Sequence, residues 1–131
     1  MKSNLDKLFK TNEKMEQEGI LFEVAEGVRF RIKRFDGTNP VVKSLMAKYY
    51  KPHAKTIENG GLSDEKQNEI LIRVFVEACM IDWEGVEIDG EEKDFEPETA
   101  IKLLQGLPVM ASNLIAQASD FKNFREDLGN F

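Results

Sequence analysis

The sequence predicts an α+β fold that is mostly helical. Three observations carry this. Residues 20–35, ILFEVAEGVRFRIKRF, alternate apolar and polar side chains across a short glycine-containing turn. From Pro40 onward, apolar residues return at helical spacing in several separate runs. Residues 86–95, VEIDGEEKDF, hold Asp-Gly between two short runs, the signal of a tight hairpin. The expected architecture is an N-terminal β-hairpin packed with four to five helices, and a second short hairpin near residues 86–95.

Each element follows from local chemistry. Residues 1–19 are polar, with Leu5, Leu8, Phe9 and Met15 at loose helical spacing; they predict a short helix or an arm ending at Gly19. Residues 20–131 then form a single α+β domain. In the hairpin, Val28, Phe30 and Ile32 alternate with Arg29, Arg31 and Lys33, so one face is apolar and the other basic. DGTNP at 36–40 ends the second strand. Pro40 suits a first helical turn, and Val41, Val42, Leu45, Met46 and Tyr49 make the buried stripe of that helix. Pro52 breaks it, and HAKTIENGG adds a short helix stopped by its glycines. Ser63 caps the strongest helix, whose stripe is Ile70, Leu71, Val74, Phe75, Ala78 and Cys79, and which runs to Ile81. Trp83 covers the core edge after it, and Val86, Ile88 and Phe95 face inward. Pro97 and Pro108 start the last two helices, the second with Val109, Met110, Leu114, Ile115 and Ala118 on one face.

The bulk properties narrow the functional classes. The chain has 131 residues, 41% of them hydrophobic, which supports one real core. A net charge of −6 argues against general nucleic-acid binding, which needs a basic surface. The single cysteine, Cys79, allows no internal disulfide and fits a reducing cytoplasm. MKSNLDKLFK has no apolar run of a signal peptide. The longest apolar stretch, ILIRVFVEACMI, is interrupted by Arg73 and Glu77 and falls short of the ~20 residues that span a bilayer. A soluble protein of the cytoplasm is the expectation.

No pattern of residues carries chemistry. With Gly90 at the sixth place of a calcium loop, the first place falls on Gly85, which has no side-chain oxygen, and the eighth on Glu92, where an apolar residue belongs. A solvated acidic turn fits better. One Cys and one His make no zinc set. Cys79 lies on an apolar stripe and reads as a buried thiol, and His53 as a residue of a surface bend. ENGGLS lacks the lysine of a phosphate loop. No metal, no cofactor and no enzymatic activity are therefore expected.

Binding features remain. Arg29, Arg31 and Lys33, with Arg34 beside them, could grip an acidic partner, although pairing with nearby glutamates fits the acidic total better. Phe121, Phe124 and Phe131 are either an aromatic anchor for a partner or the docking of the last segment on the core. The scattered apolar residues of the N-terminal arm are a third candidate.

The order of segments is also distinctive: LDKLFKT, ILFEVAEGVRFRIKR, CMIDWEGV, IDGEEKDFEPETAIKLLQGLP and ASDFKNF. This order resembles the tail assembly chaperones of long-tailed bacteriophages along nearly the whole chain. The densest matches are Asp82, Trp83, Gly85, Gly90, Phe95, Pro97 and Glu98, with Asn123 and Phe124 near the end. These residues mark a fold and carry no catalysis, so the functional implication rests on family association. The resemblance implies a non-enzymatic factor that shields the aggregation-prone tape-measure protein and helps bring tail-tube subunits to it. It would work in the host cytoplasm with no nucleic-acid and no membrane partner, with self-association possible, and would be absent from the finished virion. A structural or connector protein kept in the virion is the alternative, followed by a small inhibitor of a host defence system.

Overall fold

The computed structural model describes residues 4–125. Two short helices, α1 (Leu5–Phe9) and α2 (Glu13–Glu18), come first. The side-chain oxygen of Asn4 accepts from the Lys7 N–H, and that of Asn12 from the Met15 N–H, which caps each helix. Gly19, at φ 74°, ends α2 and turns the chain into β1 (Ile20–Ala25). β1 and β2 (Val28–Ile32) make the expected antiparallel hairpin, with Gly27 at φ 78° in its turn.

The helices follow their capping signals. Asn39 accepts from the Val41 N–H and Pro40 opens α3 (Pro40–Tyr50). Pro52 ends it in one 3₁₀ turn, which leads into α4 (Ala54–Glu58). Ser63 caps α5 (Asp64–Cys79) by accepting from the Lys66 N–H. β4 (Glu87–Ile88) and β5 (Glu91–Glu92) form the second hairpin. Asp89 and Gly90 both take positive φ, 54° and 82°, as a two-residue hairpin turn requires. α6 (Pro97–Gly106), α7 (Pro108–Ser119) and a 3₁₀ turn at Phe121–Phe124 complete the α+β fold.

The sheet holds one strand that periodicity does not foresee. The helix expected to run to Ile81 stops at Cys79, and Met80–Glu84 forms β3, antiparallel to β2. The order is β1-β2-β3. Ile81 is 38% exposed on this strand, so it does not end a buried helix. The cause is tertiary. MIDWE can continue a helical stripe for one turn or pair with β2, and pairing satisfies the backbone of β2 on its second side.

α5 is the central element, with α3 against one side and α6 against the other. That is why Ile72 and Val76, off the expected stripe, are as buried as Val74 and Phe75. Val74 packs with Val42 of α3, while Ile72, Phe75 and Val76 join Ile101 and Leu104 of α6 and Leu114 of α7. Two residues of the expected stripes turn outward. Val41 is exposed because its neighbour Val42 takes the inward direction, and adjacent helical residues point to different sides. Val109 is 84% exposed because α7 buries Ala111, Leu114 and Ala118 instead.

Trp83 joins the sheet to the second hairpin. Its ring lies edge-on to Phe30 (5.9 Å) and to Phe95 (5.4 Å). Its Nε1–H donates to the carbonyl of Lys93 at 2.8 Å. Val86 is buried beside it, and Ile88 and Phe95 are half-buried against the same core, inward as expected. Replacing Trp83 with Ala should cost about 3–5 kcal/mol in chemical denaturation; a loss below about 1 kcal/mol would contradict its burial.

Gly85 ends β3 at φ 71° and sits against the tip of the first hairpin. A Cβ there would lie 2.0 Å from the carbonyl oxygen of Gly27, a backbone atom with little room to move. Gly85→Ala should therefore lose more than the roughly 1–3 kcal/mol of left-handed backbone strain alone. A thermal melt within experimental error of the parent would refute this contact.

Candidate functional site

The structure pairs Arg29, Arg31 and Arg34 of the basic strand segment within the chain, and Lys33 enters through its backbone. Arg29 lies between Glu84 (3.3 Å) and Glu23 (3.9 Å), with 44% of its side chain still exposed. Arg31 donates to the carbonyls of Glu18 (3.3 Å) and Gly19 (3.2 Å), so it closes the C-terminal end of α2. The Lys33 N–H donates to the Cys79 carbonyl at 2.8 Å. Arg34 pairs with Glu16 and with Asp36. Exposed pairs of this kind contribute little energy, but they fix where the cations point.

The aromatic residues divide. Phe124 is fully buried with Met15 and Ile20, and its carbonyl accepts from the Asn12 N–H at 2.7 Å. It fills a core pocket and presents no surface in this arrangement. Phe121 is half-buried and stacks on Phe9 at 5.9 Å. Phe131 lies outside the described residues. Asp82, Trp83, Gly90 and Pro97 form one structural unit. The Asp82 carboxylate accepts from the Trp83 N–H at 2.8 Å, Gly90 shapes the hairpin, and Pro97 opens α6.

Cys79 is 2% exposed, and burial pushes its thiol up to about 12. That is the buried thiol its stripe implied, and it lacks the thiolate a nucleophile needs. His53 sits half-exposed in the 3₁₀ turn. Among the described residues no three His, Cys, Asp or Glu side chains are grouped to hold a metal ion, and no buried side chain is polar or charged. None of the described helices is long and apolar enough to cross a membrane.

What the fold does assemble is apolar surface at two places. On α1, Leu5 and Phe9 are 63% and 65% exposed, with Leu8 beside them. At the α6–α7 corner, a groove of about 600 Å³ runs between Glu23 and Val24 of β1 and Leu107, Val109 and Met110. A second hollow, lined by Ile88, Leu103 and Leu107, opens on the other side of the same corner. Sequence reasoning missed this surface because Val109 and Met110 look like part of a buried stripe. The available signal was Leu107-Pro108, a helix start with no capping side chain, which implies an abrupt corner.

Fold and surface together define a small α+β protein that displays apolar patches on an acidic chain. Its origin follows from family comparison: residues 37–128 match the model of the YdaY prophage protein, and the chain belongs to that family. It is a phage-derived protein. The matched segment begins in the turn after β2 and takes in α3 to α7, including the corner at Leu107 and Val109. No curated protein and no solved structure matches the chain.

The turn that opens the matched segment depends on Asp36. Its carboxylate accepts from the Thr38 N–H and hydroxyl, each at 2.9 Å, and meets Arg34 at 3.3 Å. The Thr38 N–H bond above all holds its pKa below the ordinary 3.8. A depressed carboxyl contributes stability that is present above 3.8 and disappears as pH falls through its lower folded value. Asp36→Asn should thus cost about 1 kcal/mol at neutral pH. The gap should close in strong acid; a gap that stays constant with pH would show that the charge plays no part.

Proposed function

We propose that the chain is a non-enzymatic tail assembly chaperone that binds the phage tape-measure protein and helps recruit tail-tube subunits. The observation that carries this reading is the exposed apolar surface on α1 and at the α6–α7 corner of a chain with net charge −6. A holding factor needs both properties: apolar surface to grip a client, and net charge to stay dispersed while doing so. Membership of a prophage family supports the phage setting. The order of sequence segments supports the tail role. The hollow at Ile88, Leu103 and Leu107 suits the apolar face of an amphipathic client helix, as helix-in-groove recognition requires. Binding without a deep pocket keeps affinity modest, so that the client can be released to the growing tail.

The chaperone reading places the chain in the host cytoplasm during assembly. Co-expression with the tape-measure protein of the same prophage should move that client from the pellet to the soluble fraction and co-purify the two. Leu107→Asp, at a 46% exposed position, should reduce co-purification while leaving the melting temperature nearly unchanged. An unchanged pellet would count against the proposal. Stoichiometric recovery of the chain in purified virions would replace it with a structural or connector role.

A further inference from the structure

We infer that the outer edge of β1 takes up an extended segment of another polypeptide, one that alternates apolar with basic residues. The inference starts from backbone direction. The Trp83 N–H is held by the carboxylate of Asp82, so it faces away from β2. Trp83 stands opposite Phe30, and Phe30 opposite Phe22. In an antiparallel ladder each residue directs both backbone groups to one side, and the side alternates along the strand. Phe30 therefore bonds toward β1, Phe22 bonds toward β2, and Leu21 and Glu23 turn their N–H and C=O outward. Among the described residues no other element supplies a backbone partner to either one.

The two edges of the sheet are unequal. On β3 the outward Trp83 N–H is already taken by Asp82. β1, reading ILFEVA, has no proline, lysine or arginine to discourage pairing, and only the register shift between Glu23 and Ala25 limits the open run. The groove of about 600 Å³ begins at Glu23 and Val24 and is walled by Leu107, Val109 and Met110, so it has room for the inward side chains of an added strand. Those walls select apolar residues. On the opposite face the edge offers carboxylates. Glu23 is 52% exposed, and its carboxylate, which accepts from the Gly27 N–H at 3.2 Å and lies 3.9 Å from Arg29, selects basic residues; Glu26 is exposed in the adjoining turn. β2 meets this same specification on the other side of β1: Phe30 and Ile32 go into the core, and Arg29 reaches Glu23.

The groove shares Leu107 with the hollow at Ile88 and Leu103, but the Leu21 and Glu23 backbone of the β1 edge lies outside that hollow, so protection of these amides and capture of the tape-measure protein can fail independently. The probe is the capped peptide VRFRIKRF, the sequence of residues 28–35, added to the full chain and followed by amide hydrogen exchange and NMR. Exchange at the Leu21 and Glu23 amides should slow, with shift changes centred on residues 20–25 and 107–113. A peptide methylated at alternate backbone nitrogens should give no protection. Glu23→Lys should weaken binding about five-fold. Leu21→Pro should abolish the protection at Glu23, and Glu23→Lys decides the point if that variant does not fold. Unchanged exchange at millimolar peptide would overturn the inference, as would equal protection by a scrambled peptide. Loss of protection at Phe30 and Ile32, whose amides bond toward β1, would mean that the peptide displaces β2, and a peptide-free dimer joined at β1 would mean that a second copy holds the edge; either result overturns it.

Discussion

The structure depends on the change of direction at Cys79–Met80, where the central helix becomes a strand. Two consecutive residues belong to different pairing systems there. Cys79 closes the buried stripe of α5, and its carbonyl receives the Lys33 N–H. Met80 begins the ladder with β2. With helix and sheet covalently continuous at this point, the inner face of β2 has to lie over α5, and the helices that pack on α5 acquire the sheet as their other wall. Trp83 then extends the arrangement outward, since its ring holds Phe30 on one side and Phe95 on the other. The second hairpin is thus attached by the indole hydrogen bond of Trp83 and by the packing of Val86, Ile88 and Phe95 on the core, and not by a shared sheet.

Much of this was legible in the sequence because it is written locally. Asn39-Pro40, Ser63 and Pro97 mark helix starts within a few residues, and Asp89-Gly90 marks its hairpin by the φ values that only such residues tolerate readily. β3 was not legible. Its five residues are too few to establish a period after a long helical stripe, and its partner lies far away in the chain. The same limit explains Ile72 and Val76, whose burial comes from a second neighbouring helix. It also explains Val109, which is exposed because α7 turns Ala111, Leu114 and Ala118 inward instead. Local pattern states which residues are apolar; tertiary arrangement decides which of them are covered.

The candidate surface was legible in a different sense. The basic strand drew attention because cations in a row are conspicuous, yet most of their contacts fall within the chain: Arg31 serves the end of a helix and Arg29 bridges neighbouring strands. The apolar corner at Leu107 and Val109 was inconspicuous because exposed and buried valines look alike in a sequence.

The small cluster of Met15, Ile20 and Phe124 has a consequence for how the chain reaches this state. Its members lie near opposite ends of the described residues, and the Asn12–Phe124 backbone bond ties the same two regions together. During synthesis the hairpin and α5 can meet early, but this cluster has no third member until Phe124 has left the ribosome. Arg31 and Arg34 already hold α2 against the hairpin, so what waits for Phe124 is the sealing of Met15 and Ile20. Until it arrives these two side chains lack their cover and stay open to other chains.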